Sequence, residues 1–410
     1  MGSKYRAVLS VPGAGPLFAS ALVGRFPQGM SSLAILLLVR ATTHSYAAAG
    51  AAVGAFALAT AASAPLIGRL VDRFGRSTVL MPFACGQAVV YVLIVVAAAS
   101  GAGAVVLIVL SAASGALLPP IAPSVRSLLR EVYDDQAVLD TAYALESIFQ
   151  ETIWVVGPLV VALVIALTSP ETAVALLGVV CAGGTALFLR SPLVRNSGSR
   201  RGTGHERASA LASPELRALL GPVLLTGVSL GAVEVGLPSL ALHAGSRPAS
   251  GLLLALWSVG SMCGGLWYGA HVWRSPLSTR YQTLLAVLVV CTAPLIAARS
   301  IPAGAVCSLL AGLAIAPVFS CQYALVGRSV TPGSETEAFT WVSAALIGGL
   351  AAGSAVGGAV IGSGGVGAPF VFACLAALLA AVVAFGFRSR VRQPAQNSRA
   401  TAADYGTRVD

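Results

Sequence analysis

Arg25, Gln28 and Ser32 follow one another at i, i+3 and i+7, so a helix brings all three to one face. Tyr143, Glu146 and Gln150 repeat that spacing further along the chain, and Glu151 points about 100° away from Gln150. All of them stand inside apolar stretches, as does Glu234. A charged side chain at mid-bilayer costs about 2.5–3.5 kcal/mol on insertion scales, so each needs a partner or a task. A guanidinium keeps its charge in any protein environment, so Arg25 must meet an acid, water or an anion. Glu146 is the expected partner and Glu151 the alternative. Carboxyl groups in such surroundings can also take up and release protons. Trp257 shares one helical face with Ser261, Gly264 and Tyr268, an arrangement that suits an aromatic cavity wall.

The elements that position these residues follow from composition. Of 410 residues, 57% are hydrophobic and 10% charged, and the mean hydropathy is +0.86. Ordinary globular proteins carry roughly a quarter charged residues, so a soluble surface, a coiled coil and a disordered chain are all excluded. A spanning helix needs about 20 mostly apolar residues. Twelve such runs can be drawn, at 17–39, 47–68, 79–99, 103–123, 141–167, 172–189, 217–240, 249–271, 281–298, 302–325, 338–362 and 367–387. The long polar stretch from Arg190 to Arg217 divides them six and six. The expected organisation is a bundle over 1–190, a cytoplasmic linker over 191–216, a second bundle over 217–387 and a disordered cytoplasmic tail over 388–410.

The net charge of +10 raises the question of nucleic acid, but the basic residues sit in short clusters between apolar runs. That distribution is topological, because Lys and Arg collect on the cytoplasmic side. With the N-terminus inside, Arg40, Arg247 and Arg299 are the only bases expected in outside loops, and Arg25 alone falls within a run. The remaining twenty-one of the 25 bases, Arg126 and Arg130 among them, fall on the inside. Both termini are therefore expected in the cytoplasm. The seven cysteines all lie in apolar runs without a CxxC, so neither a disulfide framework nor a metal site is expected.

The two groups of six repeat. Gly50 and Gly68 match Gly251 and Gly269 at an offset of 201, and Gly115 and Pro120 match Gly312 and Pro317 at 197. Ser147 and Gly157 match Ser343 and Gly353 at 196. Duplicated six-helix halves point to a substrate site between them near the midplane.

Between the second and third runs stands Gly68-Arg-Leu-Val-Asp72-Arg73-Phe-Gly75-Arg76. This loop closely resembles the signature Gly-x-Leu-Ala-Asp-Arg-x-Gly-Arg-Lys of the major facilitator superfamily, with Ser77 in place of the Lys. Together with the twelve runs and their six-plus-six split, the resemblance covers essentially the whole chain. It implies an all-α membrane protein of two pseudo-symmetric six-helix bundles. It also implies that Gly68, Asp72, Arg73, Gly75 and Arg76 form a cytoplasmic gate that latches against the eleventh helix. Gly68 would permit close helix approach and Gly75 a tight turn. Asp72 would lie where a helix N-terminus attracts it. In the second half Trp273 stands where Asp72 would be expected, so a symmetric latch is not expected there.

Further features bear on mechanism. Gly157-Pro158 and Gly353-Ser-Ala-Val-Gly357-Gly358 resemble fragments of a Gly-Pro-x-x-Gly-Gly motif of antiporters in this family, and equally suit small-residue packing. The fourth run holds Ser111 where proton-coupled drug antiporters carry an arginine. Ser334-Glu-Thr-Glu337 reads as a capping box opening the eleventh helix. Gly227-Val-Ser229-Leu-Gly231 matches a hydrolase elbow but lies within an apolar run with no strand before it, and no phosphate-binding loop is present. The chain is thus expected to be no enzyme and to need no cofactor.

The resemblance implies a secondary active transporter working by alternating access. Its first expected activity is proton-coupled efflux of a small amphipathic compound, as an antiporter in the plasma membrane. Uptake of a metabolite and a non-transporting receptor or assembly role are the alternatives. Arg25, Gln28, Tyr143, Glu146, Gln150, Glu151, Glu234 and Trp257 are the expected substrate and proton pathway. The expected partners are the lipid bilayer, a small-molecule substrate and protons; nucleic acid is not one, and the protein is expected to be a monomer.

Overall fold

A computed structural model describes residues 2–197, 209–246, 249–330 and 333–385. The expectations for Arg200, Arg201, Arg207, Arg247, residues 198–208 of the linker and the 388–410 tail lie outside the described residues.

Among the described residues, twelve helices are long and apolar enough to cross a membrane. They run Ala14–Thr43, Ala47–Phe74, Arg76–Ala99, Ala104–Val132, Gln136–Leu167, Pro170–Arg190, Pro214–His243, Ala249–Ala270, Leu277–Ile296, Ile301–Ser329, Glu335–Ile361 and Ala368–Phe385, here called the first to twelfth spans. Their outer faces are apolar as well: Leu58, Val105, Leu167 and Val290 are at least 70% exposed. Water would penalise that surface at about 25 cal/mol per Å², whereas lipid covers it. The fold is therefore that of a multi-pass membrane protein.

The same packing pattern occurs twice. The first span packs on the sixth and the second on the fourth, as the seventh packs on the twelfth and the eighth on the tenth. The halves meet through the second and eleventh spans and, in the equivalent way, through the fifth and eighth. Both Gly-Pro-like fragments lie in seams within a half. A Cβ on Gly157 would strike the Gly29 backbone of the first span, and one on Gly353 the Val228 backbone of the seventh. Small side chains are required there for the backbones to touch.

The largest departure from the hydropathy reading is in the fourth span. The run at 103–123 continues to Val132, as two helices, Ala104–Ala116 and Ile121–Val132, separated at Pro119-Pro120. Arg126, Ser127, Arg130 and Glu131 lower the mean hydropathy of the second piece, which is why hydropathy alone ends the run early. Arg126 is consequently buried within the span, 3% exposed, and not in a cytoplasmic loop.

A short helix, Gly2–Leu9, precedes the first span and bridges the halves at the end that carries the Gly68–Arg76 loop. Tyr5 donates to the Leu266 carbonyl at 3.0 Å, Lys4 to that of His271 at 2.7 Å, and Tyr133 donates to the Val8 carbonyl at 2.7 Å.

Candidate functional site: a shared carboxylate between two arginines

Arg25 lies about 16 Å along the first span from Ala14, at 1.5 Å per residue, and faces the fifth span. Its Nη1 donates to Glu146 Oε2 at 2.5 Å. Arg126 of the fourth span approaches the other oxygen, its Nε donating to Glu146 Oε1 at 2.9 Å. The Nη2 groups of both arginines donate to Gln150 Oε1, from Arg25 at 2.5 Å and from Arg126 at 3.2 Å. The Arg126 guanidinium also lies over the Tyr323 ring of the tenth span, 3.9 Å from its centroid. Its Nη1 reaches Ser343 of the eleventh span at 3.5 Å. All four polar members of the core are buried: Arg25 3%, Arg126 3%, Glu146 1% and Gln150 6% exposed.

One cavity opens against this cluster. Arg25, Gln28, Arg126 and Gln150 line it from the first half, and Ser343 and Ile347 from the second. Its walls are otherwise largely apolar, among them Ala61, Leu118 and Ile121. Five spans thus meet at one pocket, and both halves contribute to it.

Not every expected pathway residue converges here. Tyr143 is fully buried and its hydroxyl donates to the Arg126 carbonyl at 3.4 Å; its ring packs on Tyr323 and Phe339. It supports the cluster from behind. Glu151 points to Ser261 of the eighth span, not to Arg25. Glu234 and Trp257 are not among the residues that line the cavity. The tenth span packs on the Trp257, Ser261, Gly264, Tyr268 face that was expected to be a cavity wall. Gly264 abuts Leu313 of the tenth span, and Tyr268 bonds Cys321 of the same span at 2.9 Å. Arg126 is the site residue that sequence reasoning misses. Ile121, Val125, Leu128 and Leu129 recur around it at helical spacing after Pro120, which is the signal that the span continues. The fourth span does carry an arginine, fifteen positions beyond the expected Ser111 place, where Ser111 itself bonds the Leu107 carbonyl.

The gate loop closes one end. Asp72 accepts from the backbone N–H of Thr336 at 3.1 Å and of Glu337 at 2.8 Å. It therefore caps the eleventh span from the opposite half, satisfying donors that a helix start leaves open. This replaces the expected capping box. The Ser334 side chain makes no cap bond, and the Glu337 carboxylate instead accepts from Ser209 at 2.7 Å. The fifth span, by contrast, is capped by its own Asp135. Gly68 touches the eleventh span so closely that a Cβ would strike Thr340 and the Glu337 backbone. Gly75 turns the chain at φ +92°, a conformation that favours glycine. Arg76 pairs with Glu131 at 2.5 Å and bonds Ser127 and Ser197, each at 2.9 Å. Arg73 stands over the Phe74 ring at 5.2 Å.

The second junction is built differently, as Trp273 implied. Trp273 donates to the Tyr268 carbonyl at 3.0 Å, while Arg280 reaches Asp140 at the start of the fifth span at 3.3 Å. Thr141 donates to the Gly269 carbonyl at 3.1 Å, and Ser127 bonds Thr336 and Ser147 bonds Ser320, both at 3.0 Å. Among the described residues, the hydrogen bonds crossing between the halves lie from the arginine cluster toward this end. At the other end, Cβ atoms placed on Gly50, Gly54 and Gly251 would meet nothing within 4 Å. The cavity is sealed on the side of the gate loop.

Comparison with known proteins agrees with this architecture. The family model of the Major Facilitator Superfamily matches residues 17–298. An uncharacterized MFS-type transporter of Sinorhizobium fredii is 25% identical over 391 residues, covering 92% of this chain and 96% of that protein. The human organic anion transporter MFSD10 superposes with a TM-score of 0.73 at 17% identity, over 94% of this chain and 100% of that one. A bacterial homologue of the iron transporter ferroportin, in its outward-facing state, superposes with a TM-score of 0.71 at 15% identity, over 92% and 99%. A matched family model over most of the chain, twelve spans in two repeated halves, and a cavity between them sealed at one end together make this chain a membrane transporter of the Major Facilitator Superfamily.

Proposed function

We propose that the protein exports a small amphipathic organic compound from the cell by proton-coupled alternating access, as a monomer in the plasma membrane. The observation that carries the reading is the cavity itself. It is mostly apolar, presents the buried Arg25 and Arg126 side chains, and is lined by both halves, so a rocking of one half against the other changes its exposure. Glu146 and Glu151 on the fifth span and Glu234 on the seventh are the candidate proton carriers, each set in an apolar span. The resemblance of the Gly157-Pro158 seam to antiporter motifs supports efflux over uptake. The human neighbour's organic cargo supports an organic compound.

The test is accumulation of candidate compounds in cells with and without the gene, before and after the proton gradient is collapsed. Lower accumulation in expressing cells, abolished by collapse, is expected. Higher accumulation would favour metabolite uptake through the same site, and no gradient-dependent difference would favour a receptor role.

Orientation has its own test. The bases cluster at the end that carries the gate loop, even with Arg126 moved into a span. This favours a cytoplasmic location for that end and both termini, with the open end outside. A cysteine introduced in the 191–216 segment, in a variant freed of the seven native cysteines, is expected to react with an impermeant maleimide only after the membrane is broken. Labelling of intact cells would reverse the orientation.

A further inference from the structure

The cluster has more positive charge and more hydrogen-bond donors than it can satisfy. Arg25 and Arg126 face a single carboxylate, Glu146, leaving one net positive charge in a buried site. Each guanidinium offers five N–H donors, yet the acceptors at hand are the two Glu146 oxygens, one Gln150 oxygen shared by both arginines and, for Arg126 alone, the distant Ser343 hydroxyl. Two buried donors, Arg25 Nε and Gln150 Nε2, have no partner. The neighbouring groups do not cancel the excess. The tenth span presents Tyr323, the eleventh Ser343 and the first Gln28, all neutral. Glu151, the other carboxyl of the fifth span, lies beside Ser261 and does not line the cavity.

We infer that the substrate of this site is an organic anion. Its carboxylate or similar compact headgroup would sit against Arg126 and Arg25, and its apolar body against Leu118, Ile121 and Ile347. The headgroup supplies the missing charge and the missing acceptors in one step, in the fork geometry that arginine matches. An amine would meet a repulsive charge, and a neutral amide would leave the charge uncompensated. This inference rests on reading the cavity as the substrate path, and it names the chemistry of what passes through.

The test is thermal unfolding of the purified full-length protein with matched probes: 4-phenylbutyrate, octanoate and 2-naphthoate, each beside its amide and its corresponding primary amine. At least one carboxylate is expected to raise the melting temperature, and its amide and amine to leave it unchanged. Arg126→Gln keeps the Arg25–Glu146 pair and removes the excess charge, so it is expected to fold and melt within a few degrees of wild type. Its apparent affinity for the carboxylate is expected to fall about thirtyfold or more, the scale for losing a buried charge pair. Arg126→Lys keeps charge without the fork and is expected to fall between. Glu146→Gln is expected to melt lower than wild type yet gain more from the carboxylate. Preference for an amine or amide, an undiminished carboxylate response in Arg126→Gln, or no carboxylate response in any series would overturn the inference. Arg126-dependent binding of a carboxylate that proteoliposomes do not carry would leave the anion site standing and remove the transport reading instead.

Discussion

Glu146→Ala is expected to be the most damaging single change in the molecule, and Arg25→Ala to be far milder for the fold although not for transport. The asymmetry follows from the third member of the cluster. Removing Glu146 leaves Arg25 and Arg126 facing each other without an anion between them, both nearly inaccessible to water. Breaking a buried pair in this way costs about 3–5 kcal/mol, and here two cations are stranded at once. Removing Arg25 leaves Arg126 on Glu146, a neutral pair. The double variant Arg25→Ala with Glu146→Ala leaves Arg126 alone and is expected to melt between the two singles. A simple two-membered pair would instead make the double variant the most stable of the three. Melting temperatures of the four proteins, read as a double-mutant cycle, decide between these orders. Transport should be lost in all three variants, because the cavity loses a group that lines it or holds its lining in place. Normal transport by Arg25→Ala would remove Arg25 from the site.

Gly68→Ala and Asp72→Asn are expected to reduce transport while leaving membrane insertion intact, Gly68→Ala more strongly. A methyl group at Gly68 would overlap Thr340 and the Glu337 backbone, so the two halves cannot close as they do here. Asp72→Asn retains an acceptor oxygen but loses the charge that faces the start of the eleventh span. A charged cap at a helix start is worth about 0.5–2 kcal/mol, and here that bond joins the two halves in the sealed arrangement. The sealed population should therefore fall about two- to thirtyfold relative to the unsealed one. The measurement is reaction of a cysteine at Thr340 with a thiol reagent applied from the gate-loop side, alongside transport per inserted molecule. Faster labelling and slower transport are expected in both variants. Unchanged labelling with wild-type turnover would mean that the loop serves only topology.

Much of this architecture is legible in the amino-acid sequence alone. The twelve spans, their division into two sixes and the gate loop between the second and third come from strictly local properties. Hydropathy over about twenty residues, the placement of basic clusters and one short motif suffice, because lipid imposes the same demand on each span independently. The pairing of Arg25 with Glu146 is also within reach, since an unpaired guanidinium in an apolar span is too costly to leave alone. The matched offsets of Ser147 with Ser343 and Gly157 with Gly353 locate the two seams that the fold uses twice.

Tertiary structure decides what depends on distant parts of the chain. Arg126 belongs to a polar last stretch of a span, which local hydropathy cannot tell from a loop; only packing against Glu146 and Tyr323 puts it in the site. The start of the eleventh span carries a plausible capping box of its own, yet Asp72 takes the backbone donors, because closure brings a carboxylate from the other half to them. The face through Trp257 and Tyr268 has the composition of a cavity wall, but a neighbouring helix occupies it. In each case the sequence determines what a residue can do, and the arrangement of the two halves determines which partner reaches it first.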